Sequence, residues 1–172
     1  MGLGPRLMTS QSGGSKGAQK GPAPPIKIEN RIGVQASSDV LWEILSDLSS
    51  WRHWCPIYPE AEGELRIGNR LALTLTLPDL APRRIAPRVL DWVPHEQILW
   101  SDVAWRGWVT SQRFIEIDSL DKGSCIVSNG EVFGGFLGDL FVEKRRSAMK
   151  RGFLSFNEAL KERAEAMFNE RR

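Results

Sequence analysis

A chain of 172 residues with 41% hydrophobic and 26% charged content can bury one core of ordinary size and requires no second domain. Its formal net charge is +2, yet the first 25 residues hold three basic groups and no acidic one, leaving 20 Lys plus Arg against 21 Asp plus Glu in the remainder. A nucleic-acid module needs a concentrated basic face, so this near-neutral body argues against nucleic acid as a partner.

Residues 1–25 contain six Gly, four Pro and no aromatic residue, a composition that cannot bury enough surface to offset the entropy of ordering, so a disordered tail is expected there. The amino terminus carries no apolar run of signal-peptide length, and no segment has the roughly 18 apolar residues of a membrane span. A cytoplasmic protein without stable membrane insertion is the corresponding expectation. Cys55 and Cys125 are too few for a disulfide framework and lack zinc or redox spacing, so reduced structural thiols are expected, with no metal and no cofactor.

Order is expected from residue 26 onward. Residues 26–34 partly alternate apolar and polar side chains, as a half-buried strand does. Ser37 or Ser38 offers an N-cap with Asp39 in the first turn, and Val40, Leu41, Ile44 and Leu45 supply the apolar face of a short helix. Residues 47–54 read as a second short helix stopped by Pro56. Strands follow at about 60–65, 70–77, 84–92, 97–104, 108–118 and 124–133, separated by Gly, Pro and Asp. Alternation is clearest in Leu71, Leu73, Leu75 and Leu77, with Ala72, Thr74 and Thr76 on the other face. The short connections predict an antiparallel meander.

Gly134 and Gly135 end the last strand. From 137 to 168 the residues Leu137, Phe141, Ala148, Met149, Gly152, Phe153, Phe156 and Leu160 recur at helical steps, predicting one amphipathic helix of about 30 residues, roughly 45 Å long. Arg145 falls on the same apolar face. A guanidinium there needs a partner, either a carboxylate such as Glu131 or the anionic end of a ligand, because an unpaired buried charge costs several kcal/mol.

The run Val34-Gln-Ala-Ser-Ser-Asp-Val-Leu-Trp-Glu-Ile-Leu-Ser-Asp-Leu-Ser-Ser-Trp-Arg-His-Trp-Cys-Pro56 resembles the amino-terminal segment of the START-like, or SRPBCC, superfamily. Glu131-Val-Phe-Gly-Gly-Phe-Leu137 resembles the passage into that superfamily's final helix, and residues 156–165 resemble its end. The resemblance covers about 26–168 and implies a helix-grip α+β fold: a curved antiparallel sheet of about seven strands around a long C-terminal helix, with two short helices after the first strand. It also implies that 26–172 forms a ligand-binding domain with a hydrophobic cavity between sheet and helix. The superfamily includes lipid-transport proteins and polyketide cyclases, so the fold does not by itself select a function.

Seven tryptophans suit either core packing or an aromatic cavity lining. Trp54 and Tyr58 are candidates for the lid that the resemblance places over the cavity. Leu73, Leu75, Trp100, Phe141, Met149 and Phe153 are candidates for its apolar wall. Gln112, Asn129 and Glu131 are read as sharing a sheet face with Trp108, Phe114 and Phe133, where they would orient a ligand if that face is concave. His53 and Glu131 are the catalytic candidates, as proton-transfer groups, but no phosphate loop, nucleophile elbow or paired-carboxylate signature appears. The functional expectation is binding or transport of a hydrophobic small molecule, lipid or polyketide-like, with a polar or anionic end. The alternatives are a polyketide cyclase, aromatase or dehydratase-like enzyme, and a partner-binding homodimer exposing Trp92 or Trp105.

Overall fold

The structure, a computed structural model, describes residues 24–172. The tail expected over 1–25 therefore falls almost entirely outside the described residues. The elements run β1 (Ile26–Val34), α1 (Ser38–Ser46), a 3-10 turn (Leu48–His53), β2 (Glu60–Glu62), β3 (Ala72–Leu75), β4 (Arg83–Ile85), β5 (Arg88–Val93), β6 (Gln97–Ala104), β7 (Val109–Asp121), β8 (Ser124–Gly134), α2 (Gly138–Glu143) and α3 (Arg146–Glu170). This is the helix-grip α+β arrangement.

The local chemistry accounts for the first elements. The Ser37 hydroxyl accepts from the Val40 N–H at 3.4 Å and starts α1, which buries Val40, Leu41, Trp42, Ile44 and Leu45. Trp51 in the 3-10 turn donates its indole N–H to the Leu45 carbonyl at 3.2 Å, fixing the two short helices against each other.

The strands form two antiparallel sheets rather than one of seven strands: β1-β8-β7-β6-β5 and β2-β3-β4. The strand expected over 84–92 is split because Pro87 has no N–H for a ladder and fixes its own φ. Three backbone bonds stitch the sheets together there: Gly68 N to Val89 O (2.8 Å), Leu71 N to Pro87 O (2.9 Å) and Val89 N to Asn69 O (2.9 Å). The β7–β8 hairpin is the longest pairing among the described residues and brings Val109, Ser111, Glu131 and Phe133 to one face.

The expected single helix over 137–168 is broken at Lys144 and Arg145. Arg145 has φ −120° and ψ −8°, and its N–H bonds to Val142 O at 2.9 Å instead of to Phe141 O, as a continuous α-helix would require. The freed Phe141 carbonyl accepts from the Arg145 guanidinium at 3.3 Å. The helical period survives the break, which is why spacing alone does not reveal it.

α3 lies across β1 and β8. Asn129, fully buried on β8, donates to Phe153 O and to Asn157 Oδ1, both at 2.9 Å, and Asn157 Nδ2 reaches Asn30 Oδ1 on β1 at 2.7 Å. Under the carboxy-terminal part of the groove, aromatic side chains fill the space. The buried Trp51 ring lies 5.6 Å from Tyr58, 5.8 Å from Trp54, 6.0 Å from Phe156 and 6.4 Å from Trp100. This cluster is solid packing.

Candidate functional site

What remains of the groove is a cavity of about 190 Å³ under α2 and the first turns of α3. One side is Leu75 of β3 with Leu77, Leu80 and Ala81 from the connection to β4, where Arg83 follows. The floor is Ala104, Val109 and Ser111 from β6 and β7, and Glu131 and Phe133 from β8. Phe141, Arg145 and Met149 form the roof. Phe133 and Phe141 pack with ring centroids 5.8 Å apart.

Four polar side chains interrupt this apolar wall. Arg145 is half-buried; its guanidinium lies 4.2 Å from the centroid of the Phe141 ring and 5.6 Å from that of Trp105. Burial, together with the positive charge of Arg83, lowers its pKa. The expected pair with Glu131 is not formed: among the described residues, no carboxylate lies within 4.0 Å of Arg145. Its partners are a backbone carbonyl and two ring faces. Arg83 meets Asp102 at 3.6 Å in a partly exposed pair.

Glu131 is the third polar group. Burial pushes its pKa up, against the opposing pull of the Arg113 guanidinium, the Ser111 hydroxyl and Arg83. Ser111, the fourth, lies on the adjacent strand. Arg113, directly opposite Glu131 in the ladder, is 2% exposed and sits just behind the cavity floor. It donates to Gly130 O at 2.8 Å and to the Tyr58 hydroxyl at 3.3 Å, with its guanidinium 4.1 Å from the Phe153 ring centroid. Its Nη2 has no protein partner among the described residues.

Of the candidates named from sequence, Leu75, Glu131, Phe133, Phe141, Arg145 and Met149 are brought together on this cavity. The others lie elsewhere. Trp54, Tyr58, Trp100 and Phe153 belong to the packed aromatic interior, and Leu73 is 2% exposed in the core. Asn129 is the tether between β8 and α3.

Gln112 and Phe114 are corrections of register. Ser111 pairs with Phe133 and Arg113 with Glu131, so odd positions of β7 face inward with Glu131 and Phe133, while Gln112 and Phe114 lie on the opposite face. Gln112 is exposed there, and the Phe114 ring covers Gly130, whose added Cβ would come within 2.5 Å of it. Trp108 is 56% exposed, because it follows a turn in which Trp105 (φ 50°), Arg106 (φ 59°) and Gly107 (φ 91°) are all left-handed. His53 is exposed on the 3-10 turn, with the Arg52 Nε 3.2 Å from its Nε2, and does not line the cavity. Trp92 is half-buried with its ring 5.7 Å from that of Trp42, so it is not the exposed residue that the dimer alternative invoked.

The cavity residues not singled out from sequence are Leu77, Leu80, Ala81, Arg83, Ala104, Val109 and Ser111. Leu77 carried a signal as the last member of the β3 alternation. Arg83 and Leu80 sit in or beside a connection that reads as an ordinary hairpin.

Chemically, this wall can hold an apolar body, offer a positive contact from Arg145 and set Glu131, whose pKa burial raises, against the bound molecule. No cluster of three or more His, Cys, Asp or Glu side chains that could hold a metal occurs among the described residues, and no helix there is long and apolar enough to cross a membrane.

No curated protein is similar enough to this chain to count as a match. Among solved structures, the Zhui aromatase/cyclase from Streptomyces sp. R1128 superposes with a TM-score of 0.68 at 17% identity, covering 83% of this chain and 94% of its own. Norcoclaurine synthase from Thalictrum flavum, solved with dopamine and hydroxybenzaldehyde, gives 0.64 at 15% identity and covers 99% of both chains. At such identities the likeness shows the fold. Residues 25–165 match the model of the family described as polyketide cyclase / dehydrase and lipid transport, and it is to this family that the chain belongs.

Proposed function

We propose that this protein binds a hydrophobic small molecule with a polar or anionic end in the cavity beneath α2 and α3. The carrying observation is a half-buried Arg145 without a carboxylate partner among the described residues, in an otherwise largely apolar wall. An anionic group there would give the guanidinium a charge-assisted partner that the protein itself does not supply. Family membership supports the reading, since that family is described by small-molecule cyclisation and lipid transport. The test is solvent extraction of the purified protein followed by mass spectrometry, together with titration of a small neutral hydrophobic probe such as toluene. Co-purifying ligand or saturable probe binding is expected; protein that is empty and takes up no probe would overturn the reading.

A second reading is favoured by Glu131 alone. A carboxyl group whose pKa is raised by burial, facing a cavity, is suited to hand a proton to a substrate carbonyl or hydroxyl. The aromatase/cyclase and norcoclaurine synthase neighbours are enzymes on this fold, which makes cyclase or dehydratase-like chemistry the natural form of that reading. Once a turned-over substrate is found, a Glu131→Gln variant that binds it normally and loses rate at least tenfold supports catalysis. Unchanged turnover removes Glu131 from any catalytic role.

A further inference from the structure

We propose that the ligand of this cavity is a single aromatic ring carrying one carboxylate, with the carboxylate held by Arg145 and Arg83. The inference rests on the binding reading above and narrows it to a class of compound.

Size carries the first half. An apolar cavity of about 150 Å³ takes up benzene, whereas sites for drug-sized molecules run to about 300–1,000 Å³. At about 190 Å³ this cavity accommodates one ring and a small substituent. It cannot lengthen along the groove, because Trp51, Tyr58, Trp100, Phe153 and Phe156 are each at most 2% exposed and close that direction with packed rings. A long acyl chain or a fused polycycle therefore cannot extend inward along the groove. Phe133 and Phe141, with ring centroids 5.8 Å apart and tilted by 36° to one another, put aromatic surface on the cavity wall against which an aromatic guest packs.

Charge carries the second half. Arg83 and Arg145 both line the cavity, and among the described residues the carboxylate within 4.0 Å of either is Asp102, 3.6 Å from Arg83. One guanidinium charge is left over for the ligand to neutralise, which calls for a monoanion, and the planar guanidinium fork matches a carboxylate. Glu131 on the floor would repel an anion if ionised, but its burial favours the neutral form, and the buried Arg113 cation stands behind it. The anionic end thus belongs at the roof and the ring toward the floor.

Calorimetric titration of the full chain with four probes tests this. Benzoate should bind saturably; benzyl alcohol, similar in size but neutral, should bind at least tenfold more weakly; laurate and anthracene-2-carboxylate should not bind. Arg83→Gln and Arg145→Met should each weaken benzoate at least tenfold. Arg83→Gln is the safer variant, since Arg145 also caps the Phe141 carbonyl. Tighter binding of laurate or anthracene-2-carboxylate than of benzoate overturns the size class and leaves the general binding reading standing. Equal affinity for benzyl alcohol and benzoate, or undiminished benzoate binding by folded Arg83→Gln, overturns the charge assignment. Failure of all four probes and of toluene removes both this inference and the reading beneath it.

Discussion

Glu131 sets a pH dependence whose sign follows from its surroundings. In the unfolded chain it titrates near 4.5, and burial moves it higher in the fold. Between those two values the folded state holds a proton that the unfolded state has lost, so this group's contribution to stability falls as pH rises through the window. Glu131→Gln removes the penalty. Thermal melts should show the variant gaining on the parent as pH is raised from 4.5 toward 8; a constant difference across that range would mean that Glu131 is not held toward its neutral form. Asn157 makes a second prediction at this scale. It accepts from Asn129 and donates to Asn30, all in the buried seam between α3 and the sheet. Asn157→Leu leaves the Asn129 amide only its bond to Phe153 O, removes the donor to Asn30, and should lower stability by about 1–3 kcal/mol in urea denaturation.

Among the elements, α3 approaches the β3–β4 connection closely because residue 152 has no side chain. A Cβ placed on Gly152 would stand 2.6 Å from Leu77 Cδ2 and 3.3 Å from Ile57 Cγ2, and Leu77 is part of the cavity wall. Ala is the better helix former by up to about 1 kcal/mol, which offsets the displacement of a flexible side chain. Gly152→Ala should therefore change stability little while weakening probe binding several-fold, as Leu77 moves into the cavity. A variant that melts and binds like the parent would show that Leu77 yields in the other direction.

β1, β6 and α1 were legible because alternation, the Ser37 cap and the apolar spacing of Val40, Leu41, Ile44 and Leu45 all agree. The break at Arg145 was not, because Phe141 and Met149 keep helical spacing on either side of it. The face assignment is right for Glu131 and Phe133 on β8 and inverted for Gln112 and Phe114 on β7 for a similar reason. Arg113 and Phe114 are both buried, on opposite faces, and polarity pointed to the wrong one as the inward residue. The tryptophans could be assigned to packing or to lining only once neighbouring rings were seen, since composition reports aromatic area and not its partners.

For the molecule as a whole, the two thiols report on integrity. Cys55 and Cys125 are unpaired and buried, and burial pushes the Cys55 thiol up to about 12 and raises that of Cys125. A thiol that cannot ionise or meet reagent reacts only when the structure opens. Iodoacetamide at pH 8 should therefore label both cysteines slowly in native protein and at once in concentrated urea, with native labelling accelerating in Asn157→Leu. Rapid native labelling of Cys55 would show that the aromatic interior around Trp51 breathes independently of global unfolding.

That interior has a consequence for what this scaffold can become. The backbone of sheet and helix spans a trough longer than the vacant part, and the difference is made up by removable side chains, Trp100 and Tyr58 foremost. Capacity is thus a tunable property of the chain. Trading an indole or phenol for a smaller group converts interior ballast into guest volume, so proteins of graded appetite can descend from one architecture without moving a strand.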